Sequence, residues 1–445
     1  MPRPEDSAAR RTAALLTGLV LGSSLVGYGS SDRSIAGLAT ATSAVTAAVQ
    51  RQEQSPEQVW ADQTLRRMTL EQKVGQLFVA VVYGDRADVS DERNRANYGA
   101  PTAADVVARY HLGGVVYFTW SSGLSSPRQI AELSNGLQRA ALGSGAGVPL
   151  LISTDQESGR VVRIGPPVTP LPTARELGRA GSADDARTAA EISGRELRAM
   201  GVNQNLAPVA DVDLTPGSPV LGTRSFSADP QVAAAMTGAA VAGYQLSVAA
   251  TAKHFPGHGA TTTDSHANPA VIDHDREQWE RLDAPPFRAA IQAGIDVIML
   301  GHLVLPRIDP SGLPATLSPA LVDGLLRQDL GFRGVVMTDA LSMGGVRAMR
   351  SDELIPVLAV AAGADLLLMP SSLELAYRSV LAAVRSGELT EQRVDQSVRR
   401  ILELKWRRGL AENPLVDPAQ LDAVVGSPAH REQGRRLVDA VTGRR

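Results

Sequence analysis

The sequence predicts an α/β protein that folds as a single (β/α)8 TIM-like barrel. Eight short, almost wholly apolar runs follow one another along the chain, and each is followed by a polar turn and a longer segment with helical periodicity. Charged or titratable side chains lie at or just beyond the end of the strand in five of the eight runs. The eight units occupy roughly 360 residues, which is enough for one large barrel domain.

Each apolar run is predicted to be a barrel strand, because unbroken apolar runs suit parallel strands that are buried on both faces. The runs are GQLFVAVV (75–82), LGGVVYF (112–118), VPLLIST (148–154), GVNQNLAPVA (201–210), VAATAKHF (248–255), GIDVIML (294–300), GVVMTDA (334–340) and GADLLLM (363–369). A doubly wound open sheet is the alternative, but it usually has a Gly-rich turn after its first strand. The chain has no such turn there, and GSGAG at 143–147 precedes a strand instead.

The composition narrows the classes of function. The chain of 445 residues has a formal net charge of −3, and its Lys and Arg residues are scattered without a basic run. We therefore expect no nucleic-acid partner. The sequence contains no cysteine, which excludes disulfides, thiolate metal sites and cysteine nucleophiles.

The N-terminus is predicted to direct export. Residues 1–30 have the form of a signal peptide, in which Arg10 and Arg11 precede the apolar stretch TAALLTGLVLGSSLVG. The stretch ends in LVGYGSS, which resembles a bacterial lipobox with Tyr28 in the position of the lipid-accepting cysteine. A phenol cannot form the thioether of a lipid anchor. We expect an extracytoplasmic protein that contacts a membrane only through residues 1–30, if these are not cleaved.

The remaining sequence divides into three predicted parts. Residues 31–56, rich in Ala, Ser, Thr and Gln, are predicted to be a flexible linker. Residues 57–415 form the barrel domain, and residues 416–445 are predicted to be a C-terminal tail. The protein is expected to be a monomer.

Charged side chains at the ends of the strands predict where a site lies. They are Asp155 after the third strand, Asp211 after the fourth, Lys253 and His254 at the end of the fifth, His302 after the sixth and Asp339 after the seventh. The carboxyl ends of barrel strands meet at one rim, and active sites of this fold lie at that rim. We therefore expect these side chains to share one active site.

Asp339, which follows the apolar run GVVMT, has two interpretations. A carboxylate at an apolar pocket mouth can act as a nucleophile, or as a charge that stabilises a cationic transition state. Aspartate is also a common N-cap, so Asp339 could instead begin the following helix.

The stretch KHFPGHGATTTDSH (253–266) contains three of the seven histidines of the chain. Asp264 and His266 are two residues apart, so in extended backbone they point to the same side. The carboxylate can then orient the imidazole as a general acid–base near neutral pH. The alternative is a solvated polar loop, and the small residues of ATTTDS predict that this loop is mobile.

The same histidines raise the question of a metal site. Metal-dependent barrel hydrolases usually gather ligands from several strands, with a His-x-His pair on the first strand. The first run here ends in AVVYG, without a ligand. We therefore expect no metal and no cofactor, and we leave His302 as a rim histidine without an assigned role.

A second group of polar residues suits a sugar ligand. Lys253 and Arg224 can bind hydroxyl or carbonyl oxygens, and Asp155 can accept hydrogen bonds from two adjacent hydroxyls. Arg, Lys and Asp side chains that converge on one pocket are typical of sugar binding. Each of these residues alone could equally form a structural salt bridge.

With these motifs in view, the chain resembles the family 3 glycoside hydrolases of the β-N-acetylhexosaminidase type over about residues 60–410. KHFPGHGATTTDSH is the strongest match, and it is supported by STDQESGRVVR, NQNLAPVADV, LGTRSF and MTDALSM. Ser158 is a departure, because the family more often has glycine at this position of its DQEGGR stretch.

The resemblance implies a role for each candidate residue. Asp339 matches the catalytic nucleophile of the family, and His266 matches its acid–base, with Asp264 as the partner of His266. The substrate-binding positions of the family match Asp155, Arg224, Lys253 and His254.

The resemblance also implies a retaining exo-β-N-acetylglucosaminidase that acts through a covalent glycosyl–Asp intermediate on β-1,4-linked, peptidoglycan-derived fragments. An N-acetylglucosamine phosphorylase and a broad β-glycosidase of the same family are the enzymatic alternatives. A degenerate sugar-binding protein would be expected to lack Asp339 or His266, and both are present. A substrate-assisted hexosaminidase would need an Asp-Glu pair after the fourth strand, where the chain has none.

Overall fold

In the computed structural model of the chain, residues 54–443 are described. The predicted signal peptide, including Tyr28, and all of the predicted linker up to residue 53 lie outside the described residues. Within residues 54–443, no helix is long and apolar enough to cross a membrane.

Ten strands lie along the described chain, with helices between all consecutive strands except β5 and β6 and except β7 and β8. In order they are β1 (Phe78–Val81), β2 (Gly114–Tyr117), β3 (Leu151–Thr154), β4 (Gln204–Asn205), β5 (Ala249–Phe255), β6 (Ala270–Val271), β7 (Val297–Leu300), β8 (Leu303–Val304), β9 (Val335–Thr338) and β10 (Leu367–Leu368). All except β6 and β8 form one parallel sheet, in the order β10-β1-β2-β3-β4-β5-β7-β9. Each of these eight strands lies inside one of the eight predicted apolar runs, so the predicted fold class is confirmed.

The sheet closes into a barrel where β9 meets β10. Met337 and Leu366 form a parallel bridge, and the N–H of Thr338 donates to the carbonyl of Leu366 at 2.9 Å. On its other side β10 pairs with β1, where Phe78 lies opposite Leu367. A closed parallel barrel has no edge strand, and its carboxyl ends all meet at one rim.

Strands β6 and β8 form a separate two-stranded parallel sheet that the sequence analysis did not predict. They lie in the segments that follow β5 and β7 on the rim side of the barrel. Each strand is only two residues long, which is too short to show any periodicity in the sequence.

The helices surround the barrel. Their bounds are α1 (Pro56–Arg67), α2 (Leu70–Gln76), α3 (Glu92–Tyr98), α4 (Ala103–Tyr110), α5 (Pro127–Leu142), α6 (Ala174–Ala180), α7 (Ala183–Ala199), α8 (Pro230–Tyr244), α9 (Arg276–Leu282), α10 (Ala284–Gln292), α11 (Gly344–Arg347), α12 (Leu354–Ala362), α13 (Leu373–Ser386), α14 (Glu391–Arg407), α15 (Leu421–Val424) and α16 (Pro428–Thr442), and a π-helix spans Ala320–Asp329. Ser and Thr begin several of them. Ser55, for example, accepts a hydrogen bond from the N–H of Gln58, whose side chain in turn accepts from the N–H of Ser55.

The C-terminal segment differs from the predicted tail at 416–445. It carries α15 and α16, and the carboxylate of Glu196 in α7 anchors it to the barrel domain. Glu196 Oε1 accepts the N–H of Gly426 at 3.0 Å and lies 3.0 Å from Nδ1 of His430. A buried carboxylate with such partners is typical of a packed helix, so this segment is part of the folded domain.

Asp365, two residues before the start of the closing strand β10, is a fully buried carboxylate. Its Oδ2 accepts from Nη2 of Arg327 at 2.7 Å and from the N–H of Val336 at 2.9 Å. Its Oδ1 accepts from Oγ of Ser397 at 2.6 Å and from Nη1 of Arg400 at 2.9 Å. One side chain thus joins β9, the π-helix and α14 at the point where the barrel closes.

We predict that Asp365→Ala lowers the free energy of unfolding by about 3–5 kcal/mol, because it leaves buried arginine side chains without their counter-charge. Urea unfolding of the full chain measures this loss. The control is Asp352→Ala, which removes an exposed ion pair with Arg347 and should cost less than about 1 kcal/mol. A loss for Asp365→Ala no larger than that of the control would contradict the prediction.

Candidate active site

A pocket of about 410 Å³ opens at the rim formed by the carboxyl ends of the barrel strands. The structure brings together in its lining all seven residues that the sequence analysis selected: Asp155, Arg224, Lys253, His254, Asp264, His266 and Asp339. Aromatic and sulfur-containing side chains complete much of the wall, among them Phe118, Trp120, Met299 and Met369. Convergent polar groups in a partly apolar pocket are typical of a ligand site.

Four of the charged side chains form one buried ion-pair cluster, and the more exposed Arg163 contacts it with Nη2 at 3.3 Å from Oδ2 of Asp155. Nζ of Lys253 lies 2.8 Å from Oδ1 of Asp155 and 2.6 Å from Oε1 of Glu157. Arg224 donates Nε and Nη2 to the two carboxylate oxygens of Glu157, at 2.8 and 2.9 Å. The side chains of Lys253 and Glu157 are only 3% and 4% exposed. Ion pairing therefore compensates for the hydration that these charges lose on burial.

Glu157 is the member of the cluster that the sequence analysis missed. Burial raises its pKa, but the charges of Lys253 and Arg224 lower it by more, so the pKa of Glu157 lies well below its usual range and the carboxylate is ionised. The sequence did offer a signal for Glu157. It lies two residues after Asp155, and the selected cations Lys253 and Arg224 need more than one counter-charge.

Ser158 lies in the turn that follows Glu157, at the position where the resembled family has glycine. Its φ of 76° falls in the left-handed region, which costs a non-glycine residue roughly 1–2 kcal/mol. The turn is nevertheless closed, because the N–H of Glu157 donates to the carbonyl of Val161 at 3.0 Å. Ser158 therefore strains the backbone of this turn, while Asp155 and Glu157 on its N-terminal side both pair with Lys253.

His254 is fixed by Asp211, the charged residue after β4. Nδ1 of His254 lies 2.7 Å from Oδ2 of Asp211. Oδ1 of Asp211 accepts the N–H groups of His254 and His258 at 3.1 and 2.7 Å. A carboxylate on Nδ1 favours a proton on that nitrogen. Asp211 therefore orients the imidazole of His254 and holds the start of the following loop, without lining the pocket itself.

Asp339 directly follows β9, and its N–H donates to the carbonyl of Leu300 at 2.9 Å. Its Oδ1 accepts the N–H of Ala340 at 2.7 Å. The next helix, α11, begins after Met343 and has no side-chain cap, so Asp339 does not serve as its N-cap. The capping interpretation from the sequence is therefore wrong.

The surroundings of Asp339 keep its carboxylate ionised. Burial raises the pKa of Asp339, but the nearby imidazoles of His254 and His302 and the N–H of Ala340 lower it by more, so the pKa lies below its ordinary value. Nε2 of His302 is 2.9 Å from the carbonyl of Ala340, and its Nδ1 is 2.7 Å from Oγ1 of Thr316. With both ring nitrogens bonded, His302 holds the segment that follows Asp339.

Asp264 and His266 form the pair that their spacing predicts. Nδ1 of His266 lies 2.8 Å from Oδ1 of Asp264, and the same oxygen accepts the N–H of His266 at 3.0 Å. Burial raises the pKa of Asp264, but these two hydrogen bonds lower it by more. The side chain of His266 is 67% exposed and that of Asp264 is 53% exposed, so the imidazole can reach solvent as well as the pocket.

The loop that carries His266 is attached to the segment after Asp339. The N–H of Gly344 donates to the carbonyl of His266 at 2.8 Å, and the N–H of Gly345 donates to the carbonyl of Ser265 at 3.0 Å. A Cβ on Gly344 would lie 2.3 Å from the carbonyl oxygen of Ala267, so the close approach requires glycine. The loop, which the sequence analysis expected to be mobile, is thus held by backbone hydrogen bonds in this structure.

The rings of His254 and His258 lie edge to face with a centroid distance of 5.8 Å, but their ring nitrogens bind different partners. Nε2 of His258 lies 3.1 Å from Oγ of Ser265, while His254 contacts Asp211. Among residues 54–443, no group of three or more His, Asp or Glu side chains is arranged to hold a metal ion.

The fold is a closed (β/α)8 barrel, and an ionised carboxylate and an imidazole–carboxylate pair lie at one of its rims. This combination is typical of an enzyme active site. The family model described as the glycosyl hydrolase family 3 N terminal domain matches residues 69–404, which include all ten strands. The chain therefore belongs to glycosyl hydrolase family 3.

Several relatives in this family are similar over most of the chain. A beta-N-acetylglucosaminidase/beta-glucosidase of Cellulomonas fimi is 32% identical over 388 residues, which cover 85% of this chain and 64% of the relative. Beta-hexosaminidase A of Pseudoalteromonas piscicida is 34% identical over 361 residues, covering 74% of this chain and 59% of the relative. This chain thus spans less than two thirds of the length of either protein.

A solved structure from the same family is also similar to this chain. The glycoside hydrolase family 3 beta-N-acetylglucosaminidase from Paenibacillus sp. str. FPU-7 has a TM-score of 0.77 and 42% sequence identity, with 84% of this chain and 69% of that chain covered.

We predict that Glu157→Gln lowers the free energy of unfolding by about 3–5 kcal/mol at neutral pH, because two buried cations lose a counter-charge. Folding lowers the pKa of Glu157, so its contribution is complete above the ordinary glutamate value of about 4.3 and is lost as the pH falls towards the lower folded value. The deficit of the variant should therefore be about 1 kcal/mol smaller at about pH 3.5.

Urea unfolding at the two pH values measures this difference. Glu388→Gln, a substitution at an exposed glutamate, is the control and should match the wild type at both. A deficit for Glu157→Gln that is constant with pH, or that grows in acid, would refute the assigned ion-pair role.

Proposed function

We propose that this protein is a retaining exo-β-N-acetylglucosaminidase that removes non-reducing terminal GlcNAc through a covalent glycosyl–Asp339 intermediate. One observation carries the proposal: an ionised Asp339, the Asp264–His266 pair and the buried charged cluster all line one pocket. The beta-N-acetylglucosaminidase and beta-hexosaminidase names of the relatives support the choice of sugar.

In the first step, the carboxylate of Asp339 attacks the anomeric carbon as the bond to the leaving oxygen breaks. His266 donates its Nε2 proton to that oxygen, and the carboxylate of Asp264 stabilises the imidazolium through Nδ1. The step leaves a glycosyl ester on Asp339 and a neutral imidazole.

In the second step, Nε2 of His266 accepts a proton from water, whose oxygen attacks the anomeric carbon and releases the carboxylate of Asp339. Two inversions retain the β configuration. A neutral imidazole repels an incoming anion less than a carboxylate would, so phosphate is the alternative acceptor. A phosphorylase of the same site would release GlcNAc 1-phosphate.

The terminal sugar is proposed to bind at the charged cluster. Asp155 can accept hydrogen bonds from sugar hydroxyls, while Lys253, Arg224 and His254 can donate to oxygen atoms of the sugar. Because Glu157 already binds both cations, they are held in fixed positions before the sugar arrives. Such preorganisation lowers the entropic cost of binding.

The natural substrate is proposed to be a β-1,4-linked GlcNAc–MurNAc fragment of peptidoglycan. The support for this choice is the predicted export signal at residues 1–30, which would bring the enzyme to the cell envelope. Assays of nitrophenyl β-glycosides, with and without phosphate, separate the proposed activity from the phosphorylase and from a broad β-glycosidase.

We predict that Asp339→Ala lowers kcat by several orders of magnitude, because the residue forms the covalent intermediate. A slow fluorinated GlcNAc analogue should label the wild type, and mass spectrometry of the digested protein should place the label on Asp339. Asp422→Ala, at an exposed aspartate, is the control and should retain activity. Label on another carboxylate would show that Asp339 is not the nucleophile.

We predict that His266→Ala slows substrates with poor leaving groups far more than activated aryl glycosides, since only the former need protonation of the leaving oxygen. The ratio of kcat/KM between a β-1,4-linked disaccharide and dinitrophenyl β-GlcNAc measures this effect. Thr262→Ala, at an exposed position of the same loop, should leave the ratio unchanged. An equal loss on both substrates would mean that His266 only binds the sugar.

A further inference from the structure

Trp120 stands out among the side chains that line the pocket, because half of its surface is exposed. Among the large apolar side chains that are exposed within residues 54–443, it is the one aromatic. The other tryptophans pack differently: Trp279 is fully buried, and Trp60 lies against Trp406 with a centroid distance of 5.8 Å. The open part of the Trp120 indole therefore lies at the edge of a partly apolar pocket, where it is free to contact a ligand.

The indole of Trp120 is held in a fixed orientation. Phe118 stacks against it with a centroid distance of 5.1 Å and an interplanar angle of 16°, and Tyr83 packs at 6.0 Å. Arg93 donates Nη1 to the carbonyl of Trp120 at 2.9 Å. The carbonyl of Ser121, the next residue, accepts the N–H of Gly84 at 3.0 Å. The ring is thus supported from several sides while one part of its surface stays open.

The burial of the pocket residues gives the site an inner and an outer end. The Lys253–Glu157 ion pair is almost fully buried, whereas His266 and Trp120 are among the most exposed side chains of the pocket. An acid that protonates the glycosidic oxygen must lie between the terminal sugar and the leaving group. With the terminal sugar at the buried cluster and His266 beyond it, the leaving group extends towards the exposed end of the pocket.

We propose that Trp120 is a stacking platform for the pyranose ring of the leaving group, and so determines a preference for sugar over non-sugar aglycones. This inference rests on the proposed function above. The flat apolar face of an indole suits the C–H face of a pyranose, while the ring hydroxyls remain in water. Because Phe118 and Tyr83 already hold the indole, little conformational entropy is lost when the sugar binds.

Two probes separate this subsite from the terminal-sugar site. The β-1,4-linked GlcNAc disaccharide has a pyranose leaving group, whereas β-GlcNAc fluoride has a leaving group without a ring. For Trp120→Ala, the ratio of kcat/KM for the disaccharide to kcat/KM for the fluoride should fall about tenfold, which corresponds to the loss of one stacking contact. Trp120→Phe keeps an aromatic face and should restore most of the ratio.

Leu246→Ala removes an equally exposed apolar side chain that does not line the pocket, and it should leave the ratio at the wild-type value. An unchanged ratio in Trp120→Ala, or an equal loss in Trp120→Phe, would overturn the proposal.

Failure of the proposed function gives a different result, because the wild type would then cleave neither probe. In that case calorimetric titration of the wild type and of Trp120→Ala with the disaccharide still decides the matter. A roughly tenfold higher Kd for the variant supports the subsite, and an unchanged Kd overturns it.

Discussion

The closure of the barrel between β9 and β10 is the constraint on which the site depends. Asp339 directly follows β9, Lys253 lies near the end of β5, and Asp155 and Glu157 follow β3. These side chains share one rim because their strands are parallel members of one closed sheet. The closing bridge pairs Met337 with Leu366, and directly before these two residues Asp365 binds the N–H of Val336 and two arginines. The carboxylate that stabilises the closure therefore lies before the carboxyl ends of the strands, and the candidate site lies at those ends, as is usual in this fold.

The eight strands and the residues at their carboxyl ends could be predicted because each depends on a local sequence pattern. A buried parallel strand must be apolar on both faces, so eight runs could be recognised without knowledge of their partners. The same reasoning places residues such as Asp155 and Asp339 on one rim. The pairing of Asp264 with His266 needs only a two-residue spacing, and the structure contains that hydrogen bond.

The features that could not be predicted depend on partners far apart in sequence. Glu157 gains its importance from Arg224, 67 positions away, and from Lys253. The packing of the C-terminal helix depends on Glu196, which is 234 positions from His430. Neither contact produces a periodic pattern in the local sequence. A polar C-terminal helix therefore has the sequence of a solvent-exposed tail, and only its buried partner distinguishes the two.

The hydrogen bonds from Gly344 and Gly345 to the loop at His266 couple two parts of the site that the sequence separates by more than seventy positions. The segment after Asp339 and the loop with the imidazole share one backbone framework, so a displacement of either segment carries the other with it. These hydrogen bonds thereby limit changes in the spacing between Asp339 and His266. An insertion between Asp339 and Gly344 would break this mechanical link while leaving every polar side chain of the pocket in the sequence.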